Sequence, residues 1–438
     1  MNATLKKAIR QFAVYISLVV LALFYGVYAH QQHYGIAVII EDALESQITL
    51  FKKPWYFINA QGKLAISTLE KQKMQPGLTK LVRFSSEKTL AVSVITPRNE
   101  IIHEWNLDWF DLWPDATHLS WFMKPKSRPG TMIHGAQILD DGSLVFNFEY
   151  LGMVRVDACG KVLWRLPVQT HHSIFIDDQG FIWAPANKVR KGNSLKQPLH
   201  EPYYVEPFIE KISPDGKVIE EKSVFTLLHD NGLDGILYLT SIDNEKPEVR
   251  GDTLHLNDVD VFSQSMKPGF FQPGDIMISL RNANTILVFD PSNWKVKYRV
   301  SNLFIRQHDP DFLDGNTISV FDNNNRFADH DSKAYSRVIS IHVPDNTVKV
   351  LFSGSDTFPF FSRILGKQQM LENGNLLMTE GRGGRAIEVT PDGEVVWEYN
   401  NIVKPDTLAV IQGVERLPIY MDDKFFSDKV HQCNRGVK

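Results

Sequence analysis

Cysteine is nearly absent. Two residues, Cys159 and Cys433, stand in a chain of 438. That excludes a dense disulfide framework and paired-cysteine zinc motifs, and leaves open one disulfide between the two. A surplus of positive charge is also missing. The formal net charge is −4, so no basic field points to a nucleic-acid partner. No GxxxxGKS or GxxxxGKT segment occurs, so a P-loop for nucleotide phosphates is excluded, and neither a cofactor nor a metal is expected. Beyond residue 46 no long helical period appears, which argues against a helical bundle. What is there is ordinary in bulk: 43% apolar and 22% charged residues, with length enough for one large buried core.

A single long apolar run breaks this pattern. FAVYISLVVLALFYGVYA spans residues 12–29, preceded by Lys6, Lys7 and Arg10. About 18 apolar residues approach the length that crosses a bilayer core as a helix, and basic residues before the run predict a cytoplasmic N-terminus. The alternative is a cleaved signal peptide ending at VYA before His30. Either way the remainder is exported, to the periplasm in a bacterium. The expected organisation is a cytoplasmic segment 1–11, a transmembrane anchor 12–30 and a linker with a ring-closing strand 31–76. A catalytic propeller 77–420 and a tail 421–438 follow.

From Gly77 onward a unit recurs every 40–55 residues or so, a spacing typical of propellers. Its outer half is a hairpin, as in VRVDACGKVLWRL, EKISPDGKVIEEK, LVFDPSNWKVKYRV and IEVTPDGEVVWEY. There Asp-Gly or Asn supplies the tight turn and the flanks alternate as strands do. Its inner half is a turn and a strand, as in LDDGSLVF, IDDQGFIWA and FLDGNTISVF. Together they predict an all-β fold, a six-bladed β-propeller of about four strands per blade. Seven blades result if residues 50–70 and 405–420 form a further one. IQGVERL at 411–417 is expected to close the ring against a strand from residues 50–70. Insertions near 108–130, 189–207, 226–252 and 263–273 are expected to shape a pocket mouth.

Four histidines recur at the entry of inner strands: His134, His172, His255 and His308. Ring closure would gather them on one axis. His255 and Asn257 stand two apart in HLND, so a regular strand would turn both to one space. Arg281 follows the strand DIMISL, where it could clamp an anion or pair with Asp258. A single histidine at a strand end is ordinarily a hydrogen-bonded structural residue, and His103, His330 and His342 are so assigned. The recurrence of four at one level, with an arginine and an asparagine, points to a site.

HLNDVDVF, GDIMISLRNANTILVFD and QHDPDFLDGNTISVFDN, followed by AIEVTPDGEVVWEYNN, resemble the aryl sulfotransferase family of exported propeller enzymes over residues 77–420 or so. The resemblance implies transfer of a sulfuryl group from a phenolic sulfate ester to a phenolic acceptor, without a nucleotide sulfate donor, through a sulfated histidine. By motif, His308 matches that histidine. His255, Asn257 and Arg281 match residues around the sulfuryl oxygens and leaving group. His172 matches a further pocket histidine, with His171 beside it. On the chemistry, His308 would be the nucleophile, His255 the acid/base, Arg281 the sulfuryl clamp, and Asn257 an orienting group or neutral donor. Phe270, Phe271, Trp121 and Phe358 are candidates to cover a phenyl ring. Partners would be the two small molecules and, through the N-terminal helix, a membrane; homodimerisation stays open. The rival readings are four histidines around iron, as in propeller oxygenases, and a non-enzymatic binding propeller.

Overall fold

The structure is a computed structural model describing residues 3–31, 56–121, 123–190, 200–238, 249–326 and 334–435. His330 and most of the expected 31–76 linker fall outside these. Two compact units divide the chain near Phe57. The first contains a helix, Ala3–Gln31, whose side chains Phe12, Leu18, Leu21, Leu23 and Phe24 are exposed. Among the described residues no helix is long and apolar enough to cross a membrane. The expected transmembrane anchor over 12–30 is not shown among these residues.

The second unit is all-β apart from short helices and one at the C-terminus. Among its described residues are six sheets of four or five strands, each built on four antiparallel strands; in the one that starts at Phe175–Ile176 the added strand Val249–Gly251 pairs parallel to His200–Ile212. In chain order the meanders start at Ile133–Ile138, Phe175–Ile176, Leu256–Val261, His308–Asp314 and Lys367–Met370. The sixth combines Thr79–Phe84, Leu90–Ile95 and Ile101–Leu107 with the distant strand Ile411–Arg416, which supplies its inner edge. These inner-edge strands follow one another around an axis: Leu256–Val261 neighbours His308–Asp314, then Lys367–Met370, Ile411–Arg416 and Ile133–Ile138. The next step, from Ile133–Ile138 to the segment leading into Phe175–Ile176, is so close that a Cβ on Gly135 would lie 2.2 Å from the His172 carbonyl oxygen, so glycine is required there.

Closure differs in one respect from expectation. Ile411–Arg416 pairs with Thr79–Phe84, not with a strand from 50–70. Ile66–Leu69 instead adds a fifth strand outside Val395–Asn400. No seventh four-stranded sheet is present among the described residues. The reason is register: Val414 pairs Leu81, which buries both in one core cluster with Ile95, Trp397 and Tyr399.

Burial explains why alternation shows only in outer hairpins. The second strands, such as Ile276–Leu280 and Leu90–Ile95, are buried on both faces, because neighbouring sheets cover them. The outermost strands, such as Thr347–Ser353, carry most of the exposed residues. Cores lie between sheets; Phe262, Met277, Val288, Phe312, Val320 and Ile339 form one of them. The insertion 263–273 sits where strands Leu256–Val261 and His308–Asp314 end, bonded to Asp178 and Gly315. That is the end opposite His255 and His308, so it does not shape the histidine mouth.

The C-terminal helix Asp423–Arg435 packs Phe426 on His103 and Trp105. Cys433 on that helix is bonded to Cys159 in the turn after Gly152–Val156.

Candidate active site

Four imidazoles meet at the axis. The His134 and His172 rings are 3.8 Å apart, His172 and His255 5.0 Å, and His172 and His308 6.0 Å, centre to centre. His172 and His255 both have left-handed backbone, with φ of 53° and 52°, at equivalent places before inner strands. A non-glycine residue in that region costs about 1–2 kcal/mol and persists only where its surroundings impose it. The twist turns both rings inward. It also means that the two-residue period of a regular strand does not apply from His255 to Asn257.

His308 is the most constrained. Its Nδ1 lies 2.7 Å from Asn323 Oδ1 and 3.2 Å from the Arg306 carbonyl. Asn323 Nδ2 donates to the carbonyls of Ser362 at 2.9 Å and Leu365 at 2.6 Å, so its oxygen must face the histidine. Both neighbours of Nδ1 are acceptors; Nδ1 therefore carries the proton. The Nε2 lone pair is left buried without a protein partner. Gln307, fully buried, fixes the preceding residue by donating to Ser279 Oγ and the carbonyls of Leu280 and Thr285. Burial, with the Arg281 charge nearby, pushes the His308 pKa down to about 3, so the ring is neutral near pH 7.

His255 has its own orienting group. Asp252 accepts from its Nδ1 at 2.6 Å and from its backbone N–H at 2.9 Å. Nε2 is again buried without a partner. Burial lowers the His255 pKa although Asp252 opposes it. Burial likewise disfavours the Asp252 carboxylate, but the bond from His255 holds it below its usual range. His171 and His172 share a bond between their Nδ1 atoms at 2.7 Å, so one donates and the other accepts. His171 also packs on Tyr150, 4.6 Å between rings, and burial lowers its pKa to about 3.

His172, His308 and Asn257 line one small cavity with His134, Asp258, Asp309, Lys367 and Gln412. Lys367 is 2.7 Å from Asp309, and Asp258 is pushed up to about 7 by burial and by Asp309. Arg281 sits in the turn after Ile276–Leu280. Its charge acts on His255 and His308, and its own pKa falls to about 10 through burial and the Arg306 charge. It therefore remains a cation at neutral pH. It does not pair with Asp258, whose cationic neighbour is Lys367.

The structure thus brings His134, His172, His255, His308, Asn257 and Arg281 to one end of the axis. Of the two roles expected of Asn257, orienting group and neutral donor, its geometry fits the first. Its Nδ2 is committed to the Gln307 carbonyl at 2.8 Å, and Oδ1 faces the cavity without a partner. The expected aromatic cover is not assembled. Phe271 is in the core between sheets, Trp121 and Phe270 are exposed, and Phe358 packs on Phe352 and Arg385. Tyr150 is the aromatic residue at the site. Asp252, Asn323 and Tyr150 were not singled out from sequence. Tyr150 and Asn323 occupy the same blade position as Arg281, the turn after the second strand, and that equivalence was the available signal. Among the described residues no three of the imidazoles bring nitrogens within 4.8 Å of one another. The group of donors that does comprises Asp157, Cys159 and Cys433, the last two bonded to each other.

A closed array of antiparallel sheets with a buried histidine pocket at its axis defines a β-propeller-type protein with an enzyme-like site. The arylsulfotransferase (ASST) family matches residues 135–402, more than half of the chain, and the chain belongs to that family. No curated protein is detectably similar in sequence. Among solved structures, a protein of unknown function from Bacteroides caccae is 14% identical, with a TM-score of 0.45 over 77% of this chain and 98% of that one. Virginiamycin B lyase from Staphylococcus aureus is 12% identical, with a TM-score of 0.37 over 67% and 86%. The WD40 β-propeller domain of Doa1 is 9% identical, with a TM-score of 0.39 over 78% and 96%. None of these likenesses bears on activity.

Proposed function

We propose that this protein moves a sulfuryl group from a phenolic sulfate ester to a phenolic acceptor in two steps, through a sulfated His308 and without a nucleotide sulfate. The observation that carries the reading is the His308 ring. Its Nδ1 proton is held by Asn323, and its Nε2 lone pair is buried and unpartnered. A neutral imidazole so held is a competent nucleophile. Arg281 offers a planar fork of donors to the sulfuryl oxygens. His255, backed by Asp252, exchanges the phenol proton, and His172 extends that imidazole set. Asn257 acts by holding the Gln307–His308 segment. Sulfuryl transfer asks the protein mainly for positioning and charge stabilisation, which an axis walled by packed sheets supplies. The reaction belongs outside the cytoplasm; the Cys159–Cys433 disulfide supports an oxidising compartment.

The test is intact mass spectrometry after mixing the protein with an aryl sulfate alone. One added sulfuryl group is expected, mapping to His308 and absent in His308→Ala. Equal labelling of both proteins would remove His308 from the nucleophile role.

A further inference from the structure

Glu149 stands in the turn after Leu144–Phe148, the same blade position as Arg281. Its Oε1 is 3.4 Å from His134 Nδ1, and about a quarter of its side chain is exposed. Neither His134 nitrogen has a hydrogen-bond partner, although the ring is buried. His134 packs on His172, and both line the cavity that His308 lines. Ring packing, with no hydrogen bond to either His134 nitrogen, thus sets a partly exposed carboxyl, two imidazoles and the nucleophile in series. The chemistry described above leaves a gap that this series fills. The buried imidazoles, His255 included, are neutral at rest, so none holds the extra proton that a departing phenolate needs.

We infer that Glu149 is the proton reservoir of the transfer, acting through His134 and His172 and not by contact with the reacting atoms. The inference rests on the sulfohistidine reading. In the first step the His308 Nε2–sulfur bond forms as the ester oxygen–sulfur bond breaks. The phenolate takes, by way of His255, a proton that originates on Glu149, and the phenol leaves. Sulfated His308, with Nδ1–H retained, is a cationic ring bearing an anionic sulfonate, and the Glu149 carboxylate balances the ring charge. In the second step the acceptor phenol returns its proton to Glu149. Its oxygen bonds to sulfur, the nitrogen–sulfur bond breaks, and His308 is again neutral. Charge in the pocket is conserved across both steps.

Burial raises Glu149 to about 7, where a carboxyl can both give and take a proton at neutral pH. Charged or titratable groups around the pair are Tyr150, which the Glu149 charge raises further, and His171, His255, His308 and Lys367, which act on His134.

The test compares His308 sulfation by 4-nitrophenyl sulfate, whose leaving group departs without a proton, and by phenyl sulfate, whose phenol has a pKa of about 10. In Glu149→Gln, reaction with phenyl sulfate should slow about a hundredfold, and reaction with 4-nitrophenyl sulfate should change little. The wild-type phenyl sulfate rate should fall as pH rises through about 7, and that fall should vanish in Glu149→Gln. Glu149→Asp, which keeps an acid farther from His134, should give an intermediate phenyl sulfate rate, and it carries the test if the Gln variant does not fold. Equal slowing with both donors, or an unchanged pH profile, overturns the inference. If the wild type is sulfated by neither donor, the sulfohistidine reading itself fails. If it is sulfated and Glu149→Gln is indistinguishable from it, the role of Glu149 alone fails.

Discussion

Replacing Asn323 with alanine isolates the feature on which the proposed nucleophile depends. The side chain is fully buried and makes three hydrogen bonds. As the nitrogen–sulfur bond forms, the His308 ring gains positive charge, so the Nδ1–H bond to Asn323 strengthens. A neutral hydrogen bond contributes about 0.5–1.5 kcal/mol and one to a charged group about 1.5–3 kcal/mol. The difference, about 1–1.5 kcal/mol, belongs to the transition state and corresponds to roughly five- to tenfold in rate. Loss of Asn323 also frees the other tautomer, opposed only by the Arg306 carbonyl at 3.2 Å, so about tenfold or more is expected in total. The Ser362 and Leu365 carbonyls lose their donor as well, at about 1–3 kcal/mol of stability. Sulfation would be followed by rapid-quench mass spectrometry, with the histidine tautomer read from ring 15N shifts. An unchanged burst rate, or a wild-type ring carrying its proton on Nε2, would refute the reasoning.

Three further outcomes are expected. Lys367→Met leaves Asp309 and Asp258 buried without their cation, and a stability loss of about 3–5 kcal/mol should appear as a lower Tm; an unchanged Tm contradicts the pairing. Asp258 is raised to about 7, so the folded chain binds more protons than the unfolded one between about pH 4 and 7, and its contribution is present at low pH and lost as pH rises through 7. The Tm of Asp258→Asn relative to wild type should therefore be more favourable at pH 7.5 than at pH 5, and the reverse order would show that the carboxyl is not raised. Cys159→Ser releases the helix Asp423–Arg435; about 2–5 kcal/mol should be lost, with protease cleavage concentrated at that helix, and equal protease resistance would count against its docking by the disulfide.

Much was legible in the residues alone. Outer hairpins announce themselves because one face meets solvent, so Lys217 to Glu220 or Glu394 to Trp397 alternate and end in tight turns. The recurrence of His134, His172, His255 and His308 at strand entries fixed which side chains would share an axis. The aryl sulfotransferase resemblance rested on local strings, and the family match over residues 135–402 agrees with it.

Other features depended on contacts that no string contains. Ile411–Arg416 pairs with Thr79–Phe84 across more than three hundred residues, and burial of Val414 against Leu81 decides that register. The left-handed backbone at His255 overrides the strand period, and only the fold shows that Asn257 spends its donor on the Gln307 carbonyl and so takes the orienting role of the two expected. Asp252 has nothing in its neighbours to mark it, and Asn323 and Glu149 are marked only by sharing the blade position of Arg281. By itself, then, the sequence determined the repeat, the strand class and the shared level of the histidines, because these follow from local periodicity and turn chemistry. Tertiary structure decided which nitrogen carries the proton, which carboxyl faces which imidazole and which strand closes the ring, because each is settled by a contact that only folding makes, across a turn, between paired strands or at the closure of the ring.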